Sequence, residues 1–483
     1  NPGFFSFQFN QTCDTERITL SSDKLDVSTT SYKKTVKTET ERIASLTNPV
    51  IHAEAKCDPA IKMLTEALDQ FVFKSNNKWS IIGGIPWLSS LTRDNLHATG
   101  GLLAAGRDEV VYDILLNAAA TEHEGLLNET LTGQSVPAGQ IENPLRLITS
   151  VKAYIEATGN DKILSQQAQN NRSLVDVITT IFETFTTRIF NAKQICVDNV
   201  TGFLYAPPCH SWMNTQKPTA TPRSGYPIEI QALWYQALGA LSTIVPELKD
   251  RTTKLSKNIE ENFIPHFWDK DQYYLIDLLH CQHNLPCNQA IATNGLRSNQ
   301  LAAVNANLVS TKIAFQAIKN ISEYLVIPGG VRTLAEEQLN APLDVLNEHG
   351  EPLVDAFMPY QGQCKGNETE RRVAYHNGTA WSWIYSDFIQ ARAFSDGNTT
   401  LAINQSLAFF EALWAKFDKG AIGTLSEMLD GDAPHAPRGC FAHAVSIAEA
   451  LRVYMHLRYT LLPESIKTQK KEKINLSISK EVQ

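Results

Sequence analysis

The sequence is most informative first in what it lacks. Across its 483 residues no apolar run approaches the roughly 18 residues that a membrane-spanning helix requires. Charged residues make up only 19% of the chain, and the formal net charge is −8. Lys and Arg are dispersed, so the basic stripe that a phosphate backbone needs is missing, which excludes nucleic acid as a partner class. The one charge run, Lys467 to Lys473, lies in a polar tail after Pro463 and reads as a solvated end. The histidines show no paired ligand spacing, so neither a metal nor another cofactor is expected. Between Cys57 and Leu462 there is no charge-rich linker at which to divide the chain.

Helical periodicity fills what remains. From Pro144 to Thr158, Leu147, Ile148, Val151, Tyr154 and Ile155 recur at spacings of three and four, which places them on one helix face. Similar stretches run from Ala60 to Phe73, Asp94 to Ala105, Glu109 to Thr121, Leu174 to Phe190, Ile228 to Ile244 and Lys249 to Phe263. The same pattern continues over Leu308 to Leu325, Val331 to Leu339, Thr379 to Phe394, Leu401 to Phe417 and Phe441 to Leu457. About twelve helices are expected. The organisation predicted is a lead-in over 1–50, one helical domain over 51–462 and a polar tail over 463–483. In the lead-in, Phe4 to Phe9 alternates and Ser21 to Thr40 is rich in Ser, Thr and Lys, which predicts extended chain packed on the helical domain or a mobile segment.

The connections Gly83 to Ser90, Tyr205 to Gly225, Asp355 to Gly378 and Gly423 to Gly439 are long for a compact domain. Loops of that kind usually carry function, so a site at one end of the helices is expected. They hold tryptophan or tyrosine, acids and arginines: Trp87 with Arg93 and Asp94, Trp212 and Asn214 with Arg223 and Glu229, Tyr375 and His376 with Trp381, and Glu427 with Asp430 and Asp432. Aromatic faces cover the C–H side of a pyranose while carboxylates and guanidiniums take its hydroxyls. A carbohydrate is therefore the expected partner.

Compartment is suggested by two features. The eight Cys include the close pairs Cys196 with Cys209 and Cys281 with Cys287, which could close short disulfide loops. Ten Asn-x-Ser/Thr sequons begin at Asn10, Asn128, Asn171, Asn199, Asn320, Asn367, Asn377, Asn398, Asn404 and Asn475. With Asn1 in place of an initiator Met, these point to a processed, secreted or lumenal glycoprotein.

The loop residues also resemble a family. Gly84-Ile85-Pro86-Trp87 with Thr92-Arg93-Asp94 is similar to the G-x-P-W-F…G-R-D signature of the amylo-α-1,6-glucosidase part of glycogen debranching enzymes. Ser211 to Asn214 with Thr221 to Ile230 resembles T-W-M-D…T-P-R-x-G-x-x-V-E-I, and Tyr375 to Trp383 resembles Y-H-x-G-x-x-W-P-W. Leu425 to Cys440 resembles S-E-x-x-D-G-x-x-P-H-x-P-R-G-C. The four motifs stand in the family's order.

The resemblance implies an all-α (α/α)6 barrel and inverting removal of terminal glucose from an α-glucoside. Such chemistry needs one carboxylic acid for the leaving oxygen and one carboxylate for water on the opposite face. It assigns the general base to Glu427 and sugar contacts to Trp87, Arg93 and Asp94. Trp212, Arg223, Glu229, His376, Trp381 and Arg438 would complete the pocket, touching sugar or orienting residues that do. The general acid would fall at Asn214, where an amide has the shape of the acid without its proton.

Three readings of Asn214 stay open: an engineered change, natural loss of hydrolysis, or replacement by another acid. The segment between Cys209 and Arg223 offers no Asp or Glu for the third. Two other departures favour natural divergence. Arg146, in Glu142-Asn143-Pro144-Leu145-Arg146, stands where the family carries an aromatic, and Ser89 to Thr92 replaces its W-G. The functions compatible with these residues are an exo-acting α-glucosidase, an inactive secreted glycan-binding or surface-presenting protein, and another hydrolase of the same fold such as a trehalase.

Overall fold

The computed structural model describes residues 31–46, 53–131, 140–169, 171–187, 195–281, 285–293 and 295–462. The chain divides into two compact units, with the boundary in sequence between Ser45 and Leu46. In the first, α1 (Ser31–Ser45) is a helix, which corrects the extended chain expected over this stretch. Its Lys, Glu and Arg favour helix and pair along it, with Arg42 on Glu39 at 2.7 Å and Lys37 near Glu41 at 3.8 Å. Phe4 to Phe9 and the tail from Pro463 lie outside the described residues.

Among the described residues of the second unit fifteen α-helices follow. They are α2 (Pro59–Asp69), α3 (Thr92–His97), α4 (Thr99–Ala104), α5 (Asp108–Ala120), α6 (Glu142–Thr158), α7 (Leu174–Thr187), α8 (Ile228–Ile244) and α9 (Lys249–Phe267). Then come α10 (Gln300–Asn305), α11 (Thr311–Tyr324), α12 (Glu368–Ala374), α13 (Ser382–Ser395), α14 (Thr400–Ala408), α15 (Phe410–Trp414) and α16 (Ala444–Met455). None of the described helices is long and apolar enough to cross a membrane.

Their packing follows from how apolar each surface is. The helices α8, α13 and α16 are buried around most of their circumference; in α16 only Arg452 and Tyr454 are not fully buried. A helix apolar on all sides must be covered on all sides. By contrast α9 buries only Thr252, Ile259, Phe263 and Phe267, one stripe on an otherwise charged helix. The contacts divide accordingly. Helices α3 and α4 pack on α6, α6 on α8, α8 on α10, α10 on α13, α13 on α16, and α16 returns to α4. Four members of that circuit carry outer neighbours: α2 lies on α16, α5 and α7 on α6, α9 on α8, and α11 and α14 on α13.

Nine of the twelve expected helical stretches contain one helix, Asp94 to Ala105 and Leu401 to Phe417 each split into two, and Val331 to Leu339 is an error. Gly330–Arg332 is a strand paired with Val326–Ile327 and with Ala380–Trp381, entered from Gly329 at φ 82. Short apolar runs do not distinguish strand from helix by spacing alone. Periodicity also missed α10 and α12. The cysteines need a further correction: the seven described ones are thiols, with Cys13 outside the described residues. Cys281 Sγ donates to Leu285 O at 3.2 Å within its own loop. Cys196 is buried in the strand Cys196–Val197, whereas Cys209 is half-buried in a turn with φ 62.

At one end of the circuit the long loops are tied by short antiparallel strands. Gly84–Ile85 pairs with Ala442–His443, joining the first motif to the end of the fourth. A five-stranded sheet runs Val326–Ile327, Gly330–Arg332, Ala380–Trp381, Met428–Leu429, Pro437–Arg438, joining the third to the fourth. A third sheet sets Gly225–Pro227 of the second motif against Leu278–His280.

Candidate functional site

Glu427 sits at the edge of the five-stranded sheet, just before Met428–Leu429, and is buried. Its backbone N–H donates to Cys440 O at 2.8 Å, which fixes the start of the hairpin that returns through Arg438. Its side chain is held at both oxygens: Tyr375 donates its hydroxyl to Oε1, and Cys440 N–H donates to Oε2 at 2.7 Å. Room for this carboxylate depends on Gly439. A Cβ there would stand 2.3 Å from Glu427 Oε2, and the residue's φ of +68 also favours glycine.

Tyr375 links this carboxylate to the first motif. Burial, then the Glu427 charge, pushes its hydroxyl well above the ordinary range, so it remains a donor. Arg93 lies close enough to both Tyr375 and Asp94 to feel their charge, and its Nε donates to Asp94 Oδ1 at 3.0 Å. Burial disfavours the Arg93 cation, but Asp94, Tyr375 and Glu142 together hold its pKa above normal. Asp94 is 1% exposed, and its Oδ2 has no hydrogen-bond partner among the described residues. An unpaired buried carboxylate oxygen is costly and suits a hydroxyl ligand. Gly83 makes space for it, since a Cβ there would lie 2.2 Å away.

The aromatic residues form two different surfaces. Trp212 meets His376, Trp381 and Trp383 edge-on at ring separations of 4.8, 5.4 and 5.2 Å, and His376 stacks on Trp381 at 5.7 Å. Burial, then the nearby Arg93, Arg297 and Arg223, pushes the His376 pKa well down, so the ring is neutral. Trp212, His376 and Trp381 are all buried, and this cluster is wall material. Trp87 is different, 64% exposed at the rim beside Cys440.

Below the wall lies a charged network of which the sequence disclosed only part. Arg223 donates Nε to Asp277 at 3.0 Å, and its two terminal nitrogens to Ser211, Glu229 and Asp277 O. With five donors so engaged, Arg223 has none left for sugar. It fixes Glu229 through both carboxylate oxygens. Asn299 bridges Asp277 Oδ1 at 2.7 Å and Trp212 Nε1 at 2.8 Å, and Arg297 donates to His376 O at 2.7 Å. Asp277, Arg297 and Asn299 fall outside the four motifs. They are isolated polar residues at loop ends, and no spacing marks them. Tyr375 stands inside a motif, and its neighbours Arg93 and Glu427, far apart in sequence, show its place: a donor to the carboxylate.

Arg438 pairs with Asp430 through Nε and one terminal nitrogen, at 2.7 to 3.0 Å, and stays partly exposed. Asn214 is half-buried, two residues beyond Trp212. No described residue hydrogen-bonds its amide. Chemically the site offers an oriented carboxylate, an unpaired second carboxylate oxygen, a guanidinium on each side and an exposed indole, which together suit a polyhydroxyl ligand.

Set against known families, residues 66–344 and 351–452 match the one described as Amylo-alpha-1,6-glucosidase. No curated protein matches the chain.

Proposed function

The chain belongs to the amylo-alpha-1,6-glucosidase family, and from that premise we propose that its loop end is the pocket of an exo-acting, inverting α-glucosidase whose acid has become an amide. The closed circuit α3/α4, α6, α8, α10, α13, α16 with its outer partners supports reading the frame as an (α/α)6 barrel. The observation that carries the functional reading is the Glu427 carboxylate, buried and oriented by Tyr375 and Cys440 beside the Arg93–Asp94 pair. In this reading Glu427 activates water, Asp94 and Arg93 hold glucose hydroxyls, Arg438 adds a donor, and Trp87 covers the sugar's apolar face. Inversion places the missing acid on the opposite side, about 6.5 to 9.5 Å from the base. Asn214 occupies that role and cannot donate a proton to the leaving oxygen.

Asn214 is also the specific observation that favours the second reading, a protein that binds terminal α-glucose without turnover. Hydrolysis of isomaltose separates the two. Asn214→Asp is expected to raise kcat by about 10² to 10⁴, and Glu427→Gln in that background to abolish it. Sugar binding with no gain in Asn214→Asp supports the inactive reading, and no binding of any α-glucoside sinks both.

A secreted or lumenal location is proposed on the sequons, with one exception. Asn377 is fully buried, and its Nδ2 donates to Ala220 O at 2.8 Å and Val373 O at 3.0 Å, so it is closed to a glycan in the fold.

A further inference from the structure

Inside the helix circuit is a cavity of about 660 Å³ that begins beneath Trp212 and runs away from the motif loops. It follows α6 from Glu142 to Glu156 and α8 from Glu229 to Thr243. On α8 the lining residues Glu229, Ala232, Gln236, Gly239 and Thr243 fall three and four apart, one continuous face. Gln236, Gly239 and Thr243 are exposed although they face this interior, so the far end is open to solvent.

The hollow has two causes in the sequence. Small residues stand where facing helices would otherwise interdigitate: Gly239, Ala240, Ala302 and Ala306. Arg146 takes the position at which the family resemblance predicts an aromatic, putting a charge where a ring would fill space.

The walls hold polar groups with nothing to bond. Glu142 Oε2 and Ser298 Oγ, on residues 2% and 1% exposed, have no hydrogen-bond partner among the described residues, and neither have Arg146 Nε and Asn305 Oδ1. Buried polar atoms are rarely left unpaired, because each costs about 1 to 3 kcal/mol. Four around one cavity mark a place for a ligand with both donors and acceptors. Charges of both signs alternate along the wall, with Lys152 on Glu156 at 2.8 Å and Arg452 between Glu449 and Asp387. A strongly charged ligand of either sign is therefore disfavoured. At the inner end Trp383 lies edge-on to His97 at 5.0 Å and adds aromatic surface.

We propose that this axial cavity is a second carbohydrate site, taking a neutral mono- or disaccharide through the mouth opposite the motif loops, separate from the Glu427 pocket. Its volume lies within the roughly 300 to 1,000 Å³ of ordinary ligand pockets. It stands whether or not the Glu427 pocket hydrolyses anything.

Titration calorimetry with glucose and with isomaltose tests it. Gly239→Leu fills the mouth without disturbing the fold, since a Cβ at Gly239 meets nothing within 4 Å and Leu favours helix over Gly. Arg146→Gln removes the charge and keeps most of the volume. The unmodified chain is expected to bind two equivalents; each of these variants should lose one, or weaken it at least tenfold, with unchanged circular dichroism. Asp94→Asn should affect only the other. If both cavity variants bind as the unmodified chain does, the cavity holds water alone and the proposal falls. Loss of all binding in Asp94→Asn likewise overturns it while leaving the pocket reading intact. Loss in the cavity variants alone supports it and overturns the pocket reading.

Discussion

Tyr375 donates its hydroxyl to Glu427, and through that one bond the third motif orients the carboxylate that the fourth supplies. Tyr375→Phe removes the donor and little else. Hydrogen bonds to charged groups contribute about 1.5 to 3 kcal/mol, or roughly 10- to 100-fold. In the Asn214→Asp background, kcat on isomaltose should fall by about that factor while KM changes little. An unchanged kcat would mean that Cys440 N–H orients Glu427 alone.

Gly439→Ala tests the space beside the same carboxylate. Its Cβ, 2.3 Å from Glu427 Oε2, would force the side chain from its two donors. Activity in the Asn214→Asp background is expected to drop at least tenfold. A melting temperature lowered by only a few degrees would distinguish displacement from unfolding, and a fully active variant would place the base elsewhere.

Arg223 is predicted to matter for stability. Arg223→Leu leaves Glu229 without its cation and Asp277 with only Asn299 and the more distant Arg297, and breaking a buried pair costs about 3 to 5 kcal/mol. Urea unfolding should show the loss. Should the variant be nearly as stable as the parent, the network is solvated and Arg223 is open to another role.

Glu142 makes stability depend on pH. Burial, offset in part by Arg146 and reinforced by Glu229, pushes its carboxyl up to about 7 from an ordinary 4.5. A folded pKa above the unfolded one means the protonated acid is favoured by folding, so its contribution is complete below about pH 4.5 and is lost as pH rises through 7. The loss amounts to about 3 kcal/mol across that window. Asp387, also pushed up to about 7 by burial and then Glu449, titrates in the same range, so the comparison must be with Glu142→Gln. That variant should flatten the stability profile between pH 4.5 and 7; identical profiles would show that Glu142 is solvated.

The four motifs were legible because each is a contiguous string whose residue types serve one loop, and long helices were legible because burial repeats every three or four residues. Ile228 to Ile244 was read to the residue. Residues 31–45 were misread because local Ser and Thr outweighed the Lys–Glu pairs that make the helix. Val331 to Leu339 was misread because strand pairing with Ala380–Trp381 is a contact across some fifty residues.

By itself the sequence determined the helical class, the family and the order of the motifs, and it singled out Glu427 and Asn214 as positions to examine. Only the tertiary structure decided that Arg223 spends its donors on Glu229 and Asp277, that Tyr375 holds Glu427, that Asn377 is closed to glycans, and that the circuit encloses a polar cavity. The physical reason is common to all four. Hydrogen-bond saturation, burial and empty volume are properties of groups brought together from distant positions, and no local pattern of residues records which groups will meet.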